Sequence, residues 1–231
     1  MCGRYGIAPT EAAAWAPIAA IFGPAIESQL AALKPQFNIA PSTQIPIIIQ
    51  DPRTREFQAL LARWGFIPHW WREKTLPALT INARGEDAAE KPMWRDAWQA
   101  SRCLIPATHW YEWRKVVGGK QPFAMRFADG KVFCFAGLYS WWRPHREAAP
   151  ILSAAIITRP ASESVAHIHD RMPVILHASE WRDWLDPDHR DPARIHDILK
   201  MSAILSAIAW QISPRVNSTR NDGPELLDPI E

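Results

Sequence analysis

The feature that most limits what this chain can fold into is a succession of short apolar runs closed off by tight turns. Eight of them lie at 45–50, 56–64, 78–83, 102–106, 109–116, 122–128, 132–139 and 151–158. Runs of that length, rich in Ile, Val, Phe and Trp, fit strands better than core helices. Gly118-Gly119 stands between WYEWRKV and QPFAM, and Asp129-Gly130 stands between two further apolar runs. Such pairs supply the positive φ angles that hairpin turns need, so a hairpin is expected at each. Helices are expected at about 10–22 (Thr10 as N-cap, Gly23 near the end), 26–33, 85–91, 93–100, 178–185 and 191–201. Strands outnumber helices and neighbours join through short turns. That predicts an α+β fold with a mostly antiparallel sheet rather than a doubly wound one. No repeat and no Pro/Gly/Ser-rich linker divides the 231 residues, so a single domain is expected. Residues 143–149 read as an exposed loop, and the tail after about 213 as extended.

Composition narrows the partners. No run of 18 apolar residues occurs, which excludes a hydropathy-type membrane span. Residues 12–26 (AAAWAPIAAIFGPAI) have the look of a signal-peptide core, but Glu11 precedes them and Pro17 and Pro24 interrupt them. Three cysteines cannot form a complete disulfide set; Cys103 and Cys134 sit in apolar runs as buried thiols, and a reducing cytoplasm is expected. The chain holds 13 Trp and 26 basic residues, of which 19 are Arg, yet its net charge is only +2. Arg binds phosphate through a two-pronged fork and Trp faces stack on unpaired bases. The pairing permits a single-stranded nucleic-acid surface; core Trp and solvated Arg are the plainer account. Residues 1–120 carry 14 basic and 10 acidic side chains, a net of +4, so a basic face would draw on that half.

The chain begins Met1-Cys2-Gly3-Arg4. Cys is small enough to allow removal of the initiator methionine, which would leave an amine and a thiol on adjacent carbons. This 1,2-aminothiol condenses with an aldehyde to an imine, and the thiol then closes a thiazolidine ring. An α-amine of pKa near 7.7–8.0 is roughly a quarter neutral at cytosolic pH, against about 0.1% for lysine. Ring closure is intramolecular, where effective molarities reach ~10⁵ M or more. Gly3 leaves backbone room beside the nucleophile, and Arg4 places a phosphate-binding charge two residues away.

Further along, FNIAP (37–41), WGFIPHWW (64–71), TINAR (80–84) and WYEW (110–113) mix polar with aromatic residues in a way that cores rarely do. Glu112, between aromatics, is either a desolvated carboxyl of raised pKa suited to proton transfer or a solvated residue on a half-buried strand. His169 of IHDRMP is either a proton-transfer group or a structural histidine. His167-x-His169-Asp170 is a conceivable ligand pair, but CxxC, HExxH and DxDxDG patterns are absent, and neither a metal nor another cofactor is expected.

Taken together, MCGRY, FNIAP, WGFIPHWW, INARGE, CLIPATHWYEW, QPFAMRFADG, FAGLY and IHDRMP resemble, in order, the SOS-response-associated peptidase family, whose members are also called abasic-site processing proteins. The resemblance spans about residues 1–227. It implies a compact α+β domain with a curved, barrel-like sheet flanked by helices, and covalent capture of abasic sites in single-stranded DNA through Cys2. It further implies removal of the chain's own Met1, and possible β-elimination at abasic sites. By the same resemblance, Asn82 holds the Cys2 amine or the adduct. Glu112 is the acid/base beside it, and His169 assists opening of the sugar ring. Arg4, Arg84 and Arg171 contact phosphates. Pro41, Trp70 and Trp71 pack against flanking bases or sugars, and Asn38, Trp113 and Thr158 complete the DNA-binding set. The 143–149 loop and the C-terminal segment depart from the family pattern. No partner-binding motif follows the matched segments, which suggests a bacterial-type single-domain member, and a monomer is expected.

Three other functions fit parts of the sequence. Glutamine amidotransferases also begin Met-Cys-Gly, but Arg4 stands where they carry an apolar residue and their downstream Asn-Gly segment is missing. A non-catalytic binder of single-stranded or modified DNA would need no reactive Cys2. A protease acting on other proteins would need a peptide-binding signature, and none is evident.

Overall fold

Residues 44–64 lay down the first wall of the fold. β3 (Gln44–Gln50) and β4 (Phe57–Trp64) pair antiparallel along their length, from Gln44 opposite Arg63 to Gln50 opposite Phe57. In the computed structural model, which describes residues 2–73, 75–78, 80–201 and 207–230, these strands belong to a closed ring. β3 pairs with β6 (Arg102–Ala107), β6 with β9 (Phe133–Trp142), β9 with β10 (Ile151–Pro160), and β10 returns to β4. Only the β10–β4 closure is parallel. Closure removes the exposed edges that an open sheet presents. It also explains the unbroken apolar runs IPIII and FCFAGL, which are buried on both faces because the wall they form is packed inside and out.

Around this barrel β5 (Asn82–Arg84) adds parallel to the far half of β10, with Asn82 opposite Ile156 and Arg84 opposite Thr158. β11 (Arg171–Pro173) lies antiparallel on the same stretch, and β12 (Ile175–Leu176) lies on β9. A second, five-stranded antiparallel sheet runs in the order β13 (Ile208–Gln211), β8 (Gly119–Arg126), β7 (His109–Val116), β1 (Tyr5–Ile7), β2 (Gln36–Ile39). Gly6 is required within it: a Cβ there would lie 2.2 Å from His109 Nε2 and 2.8 Å from the Gln36 carbonyl. Tyr5 joins the two sheets, its ring edge-on to Trp64 and Phe135 of the barrel at 5.3 and 5.6 Å. The helices α1 (Ala16–Phe22), α2 (Pro24–Ala31), α3 (Arg95–Ala100), α4 (Glu163–Ala166), α5 (Trp181–Leu185) and α6 (Pro192–Met201) flank these sheets.

The Gly118-Gly119 turn makes the expected hairpin, with Val116 opposite Gly119. Asp129-Gly130 does not. Its two arms, β8 and β9, belong to different sheets, because a turn signal reports a local reversal and not which ladder each arm will join. The helix expected over 10–22 is divided into a 3-10 turn (Ala12–Trp15) and α1, since Pro17 lacks an N–H and starts a new helix rather than continuing one. Glu11, not Thr10, takes the N-cap position, while Gly23 at φ 87° separates α1 from α2. Residues 85–90 are successive turns rather than a helix, residues 178–180 are a 3-10 turn ahead of α5, and of the run 78–83 only its end enters a strand. The tail is not extended. It forms 3-10 turns at Pro214–Asn217 and Pro224–Leu227, and Val216 and Leu226 bury themselves against Tyr111 and Ala124 of the second sheet.

Candidate active site

Cys2 lies just ahead of β1, fully buried, where the second sheet meets the β5–β10 edge of the barrel. Asn82, the first residue of β5, donates from Nδ2 to the Cys2 carbonyl at 2.9 Å. Its Oδ1 is buried and, among the described residues, has no hydrogen-bond partner. The amide thus grips the backbone of Cys2 with its donor while its acceptor stands open. Burial, with the Glu112 charge nearby, pushes the Cys2 thiol far above its ordinary value, so sulfur is held as S–H.

Glu112 comes from the middle of β7 and is 2% exposed. Desolvation raises its carboxyl to about 7, against the opposing pull of the positive charge at the chain's amino terminus. Of the two accounts of Glu112 left open by the sequence, the desolvated one holds: its side chain is buried, while its strand neighbours Tyr111 and Trp113 pack with the tail residues Val216 and Leu226. Glu112 and His169 line one groove of about 740 Å³, together with Trp113, Arg114, Lys115, Lys120, residues 166–168, Asp170 and Asn217.

His169 follows α4, half-buried. Its Nδ1 lies 2.9 Å from the Arg171 backbone N–H and also 2.9 Å from Asp170 Oδ1. The two contacts exclude each other in one protonation state. Partial burial, reinforced by the positive amino terminus, holds the imidazole below its ordinary value. The neutral ring accepting from Arg171 is therefore the form that prevails, which leaves the proton on Nε2.

The predicted phosphate contacts fall into distinct settings. Arg84 is exposed at the end of β5. Arg171 on β11 grips Glu86 with both guanidinium arms, Nη1 on Oε1 and Nη2 on Oε2, the latter at 2.9 Å. Nη2 also reaches the Thr158 hydroxyl at 3.1 Å. Thr158 is fully buried and so acts on Arg171 rather than presenting itself at the surface. Glu86 was missed in the sequence, although it ends the INARGE motif, because its partner Arg171 lies 85 residues away. Arg4 donates to Asn38 Oδ1 at 2.8 Å and to the Val216 carbonyl at 2.9 Å. Asn38, itself 6% exposed, reaches the carbonyls of Val216, Ser218 and Asn221. Trp113 donates to Asn217 Oδ1 at 2.8 Å.

Pro41 sits in the turn ahead of β3, where the Ser42 N–H donates to the Trp64 carbonyl at 2.8 Å. Trp70, 38% exposed, and Trp71 lie away from the groove, their ring centres 6.2 Å apart. Trp70 lines a separate hollow of about 300 Å³ with Phe66, His69, Asp96, Tyr139 and Trp141. Cys2, Asn82, Glu112 and His169 are thus gathered by four different elements, Arg84, Thr158 and Arg171 adjoin them along β10, and the tryptophan pair stands apart. Among the described residues, no group of three or more His, Cys, Asp or Glu is arranged to hold a metal ion, and no helix is long and apolar enough to cross a membrane.

Comparison with known proteins places this geometry in a family. The model of the SOS response associated peptidase (SRAP) family matches residues 1–219. The chain is 37% identical over 195 residues to the abasic site processing protein YoqW of Bacillus subtilis, covering 84% of this chain and 86% of that one. It is 30% identical to the abasic site processing protein HMCES of Gallus gallus, covering 86% and 67%. A crystal structure of a protein from Bacteroides thetaiotaomicron superposes with a TM-score of 0.80 over the whole of both chains at 24% identity, which speaks for the fold. With the family model matching nearly its entire length, the chain belongs to the SOS response associated peptidase (SRAP) family.

Proposed function

We propose that this protein captures abasic sites in single-stranded DNA covalently, through the aminothiol of Cys2 freed by removal of Met1. The observation that carries this reading is the grip of Asn82 on the backbone of the buried Cys2, close to the carboxyl of Glu112, which itself lines a groove with His169. The names of the curated relatives, abasic site processing proteins, agree with it.

The chemistry follows from the atoms. His169, with its proton on Nε2, hydrogen-bonds the ring oxygen of the abasic sugar and favours the open aldehyde. The neutral Cys2 amine attacks C1′ and passes a proton toward Glu112, and the carbinolamine loses water to give an imine. The Cys2 thiol adds across the C=N bond and its proton moves to nitrogen, closing the thiazolidine. One water leaves overall, and nothing is oxidised or reduced. Asn82 positions the amine through the Cys2 carbonyl, with Oδ1 available to an amine N–H. The imine that precedes ring closure also acidifies the adjacent sugar carbon, which would account for lyase activity. Arg84 and Arg171 receive phosphates, and Arg4 and Asn38 brace the site. Trp113, Pro41, Trp70 and Trp71 offer surfaces for flanking nucleotides, and the protein works as a monomer.

Intact mass spectrometry tests this directly. The purified protein should lack the mass of Met1. With an abasic oligonucleotide it should gain the mass of one strand less one water; intact DNA should add nothing. Cys2→Ala should abolish the adduct, and a normal adduct in that variant refutes the reading. His169→Gln and Glu112→Gln should each slow capture about 10²-fold.

A further inference from the structure

Beyond Glu112 and Trp113, the β7–β8 hairpin carries three cations that the capture chemistry leaves unused. Lys115 and Lys120 are paired directly across the strands, and Arg114 stands opposite Gln121. Directly opposed like charges destabilise an antiparallel pair. A merely solvated hairpin would gain from an acid at either position. Among the described residues, none of the three makes an ion pair. The Arg114 guanidinium lies 4.9 Å from the centre of the Phe123 ring, which restrains it without neutralising it. The turn is short and set by Gly118 at φ 85°, so the lysines are carried on a defined ladder rather than a loose loop.

All three cations line the same groove as Glu112 and His169. The facing wall holds His167, His169 and Asp170, so one carboxylate, Asp170, faces three cations. Lys115 lies three residues along the strand from Glu112, about 10 Å at ~3.3 Å per residue. A charge at that remove is placed to meet the backbone where it continues past the reacting carbon. The groove runs from the reactive end along the hairpin, so it leads away from the lesion in one direction.

We propose that Lys115 and Lys120, backed by Arg114, form a phosphate track that carries the DNA backbone on one side of the abasic site only. The track rests on the proposed function for the identity of its ligand, and adds which part of the strand the protein holds and by what. The strain of opposed lysines is relieved when a phosphate lies between them, so the pair works as a binding element at the expense of the free hairpin.

The test uses the full chain carrying Lys115→Gln with Lys120→Gln, which removes repulsion and should melt no lower than wild type. Fluorescence anisotropy with an undamaged oligothymidylate reads equilibrium binding. The slope of log affinity against log salt should fall by about 1.4 for two lost phosphate contacts on a single strand. Capture rates below saturation are then compared on two oligonucleotides, with all flanking nucleotides either 5′ or 3′ of the abasic site. One should slow at least fivefold and the other should stay within twofold. An unchanged salt slope overturns the track, and so does an equal effect on both oligonucleotides, which would mark a diffuse field. If wild type forms no adduct with either, covalent capture is what fails, and the salt slope still decides the track.

Discussion

Glu112 carries a carboxyl that burial lifts from 4.5 to about 7 even beside a positive amino terminus. In the unfolded chain the group loses its proton near pH 4.5, and in the folded protein it keeps it to about pH 7. Between those values the folded state binds more protons, so stability falls as pH rises through that window, and the cost is complete above it. The shift corresponds to a cost on the order of 3 kcal/mol. Glu112→Gln should therefore be more stable than wild type at pH 8, by up to about 3 kcal/mol in denaturant titrations, with the gain vanishing toward pH 4.5. Capture runs the other way, because Glu112 accepts a proton only when ionised. Wild-type adduct formation should rise as pH climbs through about 7, and Glu112→Gln should lose that limb. At this scale the sequence was informative in part: a carboxyl between three aromatics offered desolvation as one of two readings, and burial chose it. It was silent on Glu86, because only folding brings Glu86 against Arg171, 85 residues away.

The elements differ in how far local signals describe them. The apolar runs of β3, β6, β9 and β10 and the Gly118-Gly119 hairpin were legible, because burial on both faces and left-handed turn residues leave their mark in composition. The short strands β1, β5, β11 and β12 were not, being of three residues or fewer, too short to carry a period of two. The tail differs from its expectation for a related reason: Val216 and the Leu226-Leu227 pair are too few apolar residues to show a period, and Val216 and Leu226 acquire a partner only when Tyr111 comes into reach. Asn38 is the clasp, holding three tail carbonyls and the Arg4 side chain. Asn38→Ala leaves those groups without their partner and should destabilise the protein by about 2–4 kcal/mol. Hydrogen exchange should rise first in residues 214–222; a loss confined to global stability, with the tail still protected, would deny Asn38 that role.

The whole molecule depends on joining the helical layer to the closed barrel, and Arg102 does this from a site 3% exposed at the start of β6. Its guanidinium donates to the carbonyls of Trp98, Gln99, Trp184, Asp186 and His189, at 2.6–2.9 Å. Burial lowers its pKa only to about 10, so it stays charged at neutral pH. Arg102→Met should cost at least about 3 kcal/mol, since five acceptors lose a charged donor at once. A variant within about 1 kcal/mol of wild type in chemical denaturation would show that water replaces the guanidinium there.

The sequence by itself determined the chemistry on offer: an aminothiol two residues from an arginine, a run of short apolar strands joined by tight turns that calls for a mostly antiparallel sheet, and a carboxyl among aromatics. Those are properties of single residues and of their immediate neighbours, and they survive in the unfolded chain. Only the tertiary structure decided that Asn82 meets Cys2, that Thr158 and Glu86 hold Arg171, that Trp70 and Trp71 stand apart from the groove, and that β8 and β9 part company at Asp129-Gly130. Each of these depends on which ladder a strand joins. That choice is made by the closing of the barrel, through contacts among residues far apart in the chain.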